Sequence, residues 1–201
     1  MLIAGIDEAG RGCVIGPLVV AGILVKQENI PLLEQLEVKD SKLLTAKKRE
    51  ALFPEIIRLA DKFAVIKLSP LQIDQAVENQ RKLHKLNRLE ANAMSEIVDR
   101  LKPEIAYVDA ADVCAERFAR HIQDASIFKT RIVAEHKADK TYPVVSAASI
   151  VAKVERDREI ALLREEYGDF GTGYLADPKT PAFLVQWLKS HDDYPACVRK
   201  S

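Results

Sequence analysis

The stretch from Val14 to Val25 is nearly all apolar, and it restricts what the chain can become more than any other segment does. A helix that crosses a bilayer takes roughly 20 such residues, so this run is too short to span one. It also follows Asp7 and Glu8 and carries Gly16-Pro17 near its start. A secretory signal instead begins basic, continues apolar without interruption and ends at a small-residue cleavage site. The run therefore reads as a buried strand, Leu18 to Val25. Composition supplies a core to bury it in, because 48% of the 201 residues are hydrophobic, far from the compositions that stay disordered. One globular domain is expected, with at most a small appendage.

Other short apolar runs share this character. Leu2 to Ile6 reads as a first strand that ends at Asp7-Glu8, Phe63 to Leu68 alternates like a third, Ile105 to Val108 makes a fourth that ends at Asp109, and Arg131 to Ala134 makes a fifth. Helical patterns fall between them. Thr45 is placed to cap a helix with Leu52, Ile56 and Leu59 on one face, which Pro54 is expected to kink or shorten. Ser69-Pro70 reads as a cap followed by proline at the first helical position. From Leu86 to Leu101 apolar residues recur every three or four positions, and Pro103 marks the end of that helix. Further helices are expected through Glu116 to Gln123, from Val144 to Tyr167 with Gly168 as terminator, and from Pro181 to Lys189. Strands and helices that alternate in this way predict an α/β fold.

Asp7-Glu8 and Asp109 leave the ends of apolar strands, and Asp139 sits in the polar loop His136-Lys137-Ala138-Asp139-Lys140. If the two strands are parallel neighbours, these carboxylates reach one crevice. Like charges so gathered repel, so the arrangement makes sense with a cation or a shared proton. Oxygen ligands without a cysteine or histidine pair favour Mg²⁺ or Mn²⁺, the ions of metal-assisted phosphoryl chemistry. Taken singly, an acid pair after a strand is as readily a solvated turn, and an acid after a strand commonly caps the next helix. Gly10-Arg11-Gly12 beside the pair is either a generic tight turn or a place where backbone comes close to a ligand. Lys39, Lys42, Lys47, Lys48 and Arg49 are polymer-binding candidates or merely a solvated face. Ser146 and Ser149 lie near the start of the long helix, where its dipole favours phosphate, and Tyr174 sits on a glycine loop where it can stack on a sugar or pack on the domain. The 30 basic and 30 acidic residues cancel, which excludes a globally positive nucleic-acid coat. Cys13, Cys114 and Cys197 form no C-x-x-C pair and fit a reducing cytoplasm.

Seven segments in order give these residues a shared meaning: Gly5-Ile6-Asp7-Glu8-Ala9-Gly10-Arg11-Gly12, Gly16-Pro17, Asp40-Ser41-Lys42, Tyr107-Val108-Asp109-Ala110, His136-Lys137-Ala138-Asp139, the run from Ser146 to Lys153, and Gly171-Thr172-Gly173-Tyr174. Together they resemble the type 2 ribonucleases H, in the single-chain archaeal form akin to the eukaryotic catalytic subunit. The resemblance implies a ribonuclease H-like α/β fold, a mixed five-stranded sheet flanked by helices, with a short helical part over about residues 175–201 that looks truncated. It implies endonucleolytic cleavage of RNA in RNA–DNA hybrids, and nicking on the 5′ side of single ribonucleotides in duplex DNA, leaving 5′-phosphate and 3′-OH ends. By position, Asp7, Glu8, Asp109 and Asp139 would be the catalytic carboxylates that hold one or two Mg²⁺ or Mn²⁺ ions. Gly10, Arg11 and Gly12 would read the ribose 2′-OH, Tyr174 would pack on the sugar, and Lys42, Ser146 and Ser149 would contact phosphates. The implied partners are RNA–DNA hybrids and ribonucleotide-containing DNA, met by a cytoplasmic monomer with no membrane contact. Some members of the family end in a sliding-clamp peptide, and here the sequence departs from them, with no clear glutamine–aliphatic–diaromatic motif. A kinase-like ATPase, a non-cleaving binding module and a junction resolvase are the rival readings.

Overall fold

Eight of the nine residues of β2, Leu18–Lys26, are buried, as a run apolar on both sides requires. In the computed structural model, which describes residues 1–36, 38, 44–78 and 85–201, this strand lies second from one edge of a five-stranded sheet. Its neighbours are β1 (Leu2–Ala9) and β3 (Lys62–Leu68), both antiparallel to it. Beyond β1 come β4 (Ile105–Asp109) and β5 (Arg131–Glu135), each parallel to the strand before it. The sheet is thus mixed, in the order β3-β2-β1-β4-β5.

The described helices are α1 (Ile30–Gln35), α2 (Ala46–Leu59), α3 (Pro70–Glu78), α4 (Lys85–Leu101), α5 (Ala115–Ala125), α6 (Ala138–Thr141), α7 (Pro143–Tyr167) and α8 (Lys179–Trp187). Apolar residues of α4 and α5 such as Met94, Ile97, Phe118 and Ile122 cover one face of the sheet. The apolar first half of α7, with α1 and α2, covers the other. Close approach on that side depends on Gly5: a Cβ there would lie 2.2 Å from the carbonyl oxygen of Val144. Small residues at the start of α7 thereby let the helix lie directly on β1. No described helix is long and apolar enough to cross a membrane.

Thr45 caps α2 by accepting the Lys48 N–H at 3.2 Å, and Ser69 with Gln72 forms a reciprocal capping pair at the start of α3. Pro54 neither breaks nor shortens α2, because it lies on the exposed side, where water can take the carbonyl that a proline leaves unbonded. The first strand does not stop at the acid pair either. Pairing with β2 carries it through Ala9, so Asp7 and Glu8 are successive strand residues that face opposite sides of the sheet. Asp139, expected in a loop, lies in the one-turn helix α6. The C-terminal segment returns to the start of the chain: Val198 bridges Ile15, and the Arg199 N–H donates to the Val14 carbonyl at 2.8 Å.

Candidate active site

Parallel pairing of β1 with β4 aligns Ile6 with Val108, so the next residues, Asp7 and Asp109, lie side by side on neighbouring strands. Past β5, Lys137 takes a left-handed conformation (φ 59°) that turns the chain back, and α6 delivers Asp139. The Ala138 N–H donates to Asp109 Oδ1 at 3.1 Å and ties the two acids' elements together. One carboxylate oxygen from each of Asp7, Asp109 and Asp139 then lies within 4.8 Å of the others. Burial, and next the charge of Asp109, push the Asp7 carboxyl up to about 6, against the Ser149 hydroxyl, Lys153 and the Glu8 N–H. Three oxygens so close, one of them on a carboxyl whose charge burial disfavours, fit a hard divalent cation.

Glu8 stands apart from this trio. Its side chain faces the α4 side, and burial together with the charges of Asp7, Glu90 and Asp109 raises its carboxyl well above the usual range, with Arg11 opposing. Its Oε2 is buried with no hydrogen-bond partner among the described residues. It lines the same cleft of about 520 Å³ as Asp7 and Asp109.

Gly10, Gly12 and Tyr174 form other walls of that cleft. Gly10 needs to be glycine twice over, with φ at +87° and a notional Cβ 2.7 Å from the Pro17 carbonyl oxygen. A Cβ on Gly12 would meet nothing within 4 Å, so the fold itself makes no demand there. The buried guanidinium of Arg199 grips the turn from behind, donating to the carbonyls of Gly10 (2.7 Å), Arg11 (2.9 Å) and Gly16 (3.1 Å). The Arg156 guanidinium lies 4.7 Å from the centre of the Tyr174 ring and donates to the Thr172 carbonyl at 2.7 Å, which fixes the aromatic loop.

The profile of one known family, Ribonuclease HII, matches residues 4–201. The chain is 48% identical to the Ribonuclease HII of Pyrococcus abyssi, over 100% of this chain and 88% of that protein. The chain belongs to the ribonuclease HII family. Among solved structures, the ribonuclease H2 from Pyrococcus horikoshii OT3 superimposes with a TM-score of 0.91 at 44% identity, covering 100% of this chain and 93% of that one. The ribonuclease HII of Archaeoglobus fulgidus, solved in complex with PCNA, gives a TM-score of 0.90 at 48% identity, covering 100% of this chain and 94% of that one. The protein is accordingly a type 2 ribonuclease H, a hydrolase with the ribonuclease H-like fold expected of it.

Within this ribonuclease HII, two expected phosphate contacts do not fit. Ser146 is fully buried and its hydroxyl donates to the Val38 carbonyl. Ser149 is also fully buried, bonded to Asp7 while accepting from Lys153 Nζ at 2.6 Å. Ser146 is covered by the Val38 segment and Ser149 by the Asp7 carboxyl and Lys153, so neither is open to a phosphate, and Ser149 instead supports a carboxylate. Lys42 lies outside the described residues. Four residues around the site escaped sequence reasoning: Asn87, Glu90, Arg156 and Arg199. The first three carried a signal, since each is a polar residue on a helix with a buried apolar residue four positions on: Ala91, Met94 and Ile160 respectively. Arg199 carried none, because only the folded tail brings it to the turn.

Proposed function

We propose that this enzyme cleaves the RNA strand of RNA–DNA hybrids and nicks duplex DNA on the 5′ side of a single ribonucleotide, leaving 5′-phosphate and 3′-OH ends. The observation that carries the proposal is the oxygen trio of Asp7, Asp109 and Asp139 next to a cleft whose wall at Gly12 is kept free of side chain. The 2′-OH is the group that distinguishes ribose from deoxyribose, and it needs close backbone approach to be read. The open space at Gly12 supplies that approach. Tyr174, clamped by Arg156, offers a face for the sugar of the next residue.

Asp7, Asp109 and Asp139 would hold one or two Mg²⁺ or Mn²⁺ ions, which when bound lower the pKa of a water and neutralise charge on the phosphate. Ser149 and Lys153 orient and stabilise the ionised form of Asp7. Glu8 lines the same cleft from the α4 side and would be the fourth carboxylate to act at the ions. All these groups come from one chain, so a monomer suffices. The three cysteines are free, which fits a reducing cytoplasm.

The test is a panel of duplexes that differ by one ribonucleotide, incubated with Mg²⁺, with Mn²⁺ and with EDTA. Nicking 5′ of the ribonucleotide, dependent on the ion and abolished in a folded Asp109→Asn variant, is the expected result. Binding without cleavage would replace the proposal with the non-enzymatic reading, and cleavage of all-DNA junctions would replace it with the resolvase reading.

A further inference from the structure

A turn built on two glycines has little rigidity of its own, so a turn that must present its backbone accurately needs external support. Arg11, between the glycines, lines the cleft with its side chain 35% exposed, yet its guanidinium is turned onto α4. One nitrogen pairs with Glu90 and the other donates to Asn87 Oδ1 at 2.8 Å, both on α4. Glu90 is 0% exposed, and a carboxylate held wholly out of water is costly unless paired. It contributes no oxygen to the Asp7, Asp109 and Asp139 trio. Asn87 passes the contact on to Asp112, a buried residue in the loop that follows Asp109 and itself accepts the Cys114 N–H at 3.0 Å. A line of polar contacts thus joins the turn after β1 to the loop after β4, the two strands that carry Asp7 and Asp109. Its fixed post is α4, which buries Met94, Ile97, Val98 and Leu101 in the core.

We infer that Glu90 and Asn87 are positioning residues that act through Arg11, holding the Gly10–Gly12 turn in the shape that reads a ribose, and that the Arg11 side chain is an internal strut rather than a phosphate contact. This rests on the reading of the turn proposed above. Carbonyls gripped by Arg199 and a side chain gripped by α4 leave the turn one conformation in which to meet substrate.

The experiment compares wild type, Glu90→Gln, Arg11→Lys and the double variant. Each is measured for affinity to two duplexes identical except for one ribose or deoxyribose, in Ca²⁺ at a concentration where no strand is cut. Lysine can reach one acceptor on α4 but cannot bridge two. The strut predicts that the preference for ribose falls at least fivefold in each single variant, that affinity for the all-DNA duplex changes less than twofold, and that the double variant is no worse than the poorer single one. A merely structural role lowers both affinities together. A phosphate contact makes Arg11→Lys weaken both duplexes equally and lowers the salt dependence by about one ion. Either pattern overturns the inference alone. If wild type shows no preference for ribose, the reading of the turn falls and the inference with it. Thermal melts accompany each variant, and should Glu90→Gln fail to fold, Arg11→Lys decides by itself.

Discussion

Asp7→Asn should abolish cleavage and, without metal, stabilise the protein. Asp7 is 4% exposed, and burial with Asp109 beside it raises its carboxyl from 3.8 to about 6. A displacement of that size corresponds to about 3 kcal/mol of disfavoured charge once the group is fully ionised. Because the folded value lies above the unfolded one, the penalty is absent below about pH 4, grows between about pH 4 and 6, and is complete above that. Asparagine removes it while keeping an oxygen for the Glu8 N–H, which Asp7 Oδ1 accepts at 2.7 Å. In EDTA at neutral pH the variant should therefore melt higher by about 2–3 kcal/mol, or roughly 5–10 °C for a chain of this length. Near pH 4 the two melting curves should coincide. Millimolar Mg²⁺ should narrow or invert the neutral-pH gap, because wild type gains binding energy that the variant largely lacks. Circular dichroism melts at the two pH values, with and without Mg²⁺, supply every term. A variant no more stable than wild type in EDTA at neutral pH would refute the argument that the acid cluster is strained until a cation arrives.

Other substitutions separate fold from function. Gly12→Ala places a Cβ in open space, so stability should hold within about 0.5 kcal/mol while nicking at a ribonucleotide drops at least tenfold; unchanged nicking in a kinetic assay would show that the space is not used. Gly5→Ala drives a Cβ to 2.2 Å from the Val144 carbonyl oxygen and should cost about 3 kcal/mol or more in urea unfolding, since backbone on both sides must separate. Ser146→Ala strands the Val38 carbonyl and should cost about 1–2 kcal/mol with KM for hybrid unchanged, whereas a raised KM would restore the phosphate role denied to it here. Affinity for hybrid should fall as salt rises, with a log–log slope of roughly −2 to −3 for the cleft cations Arg49, Lys153 and Arg156, and salt-independent binding would contradict a phosphate-facing cleft.

Much of this site was legible in the chain because its chemistry sits at the ends of readable elements. An apolar run that stops at an acid announces both a strand and the place where its carboxylate emerges, which is how Asp7 and Asp109 could be paired before any fold was known. The order of strands could not be read so directly, since the parallel alignment of Ile6 with Val108 depends on crossovers far apart in sequence. Asp139 was readable as a nearby acid but not as part of a helical turn, because the geometry depends on Lys137 adopting a conformation that most residues avoid. The burial of the two serines was hidden for a related reason: their distance from the helix start was correct, but the Val38 carbonyl covers Ser146, and Ser149 is enclosed with Asp7 and Lys153. Glu90 was hidden by the habit of reading α4 through its apolar residues, although a carboxylate on a buried stripe is itself a signal.

The equality of basic and acidic charge over the whole chain is repeated at the cleft. Arg49 bonds Asp157 at 2.9 Å, Arg156 lies 3.7 Å from the same carboxylate, and Lys153 is directed at Ser149 and the charge of Asp7. An incoming phosphate must therefore compete with protein carboxylates for these cations, which lowers the gain from indiscriminate electrostatic contact. On the function proposed above, the balance would tip only where a divalent ion is held at the acid trio and a ribose meets the turn at Gly12. A cleft with surplus positive charge would hold any duplex. One whose cations are already matched by its own acids would leave discrimination to the sugar, the feature that a hybrid or an embedded ribonucleotide has and plain DNA lacks.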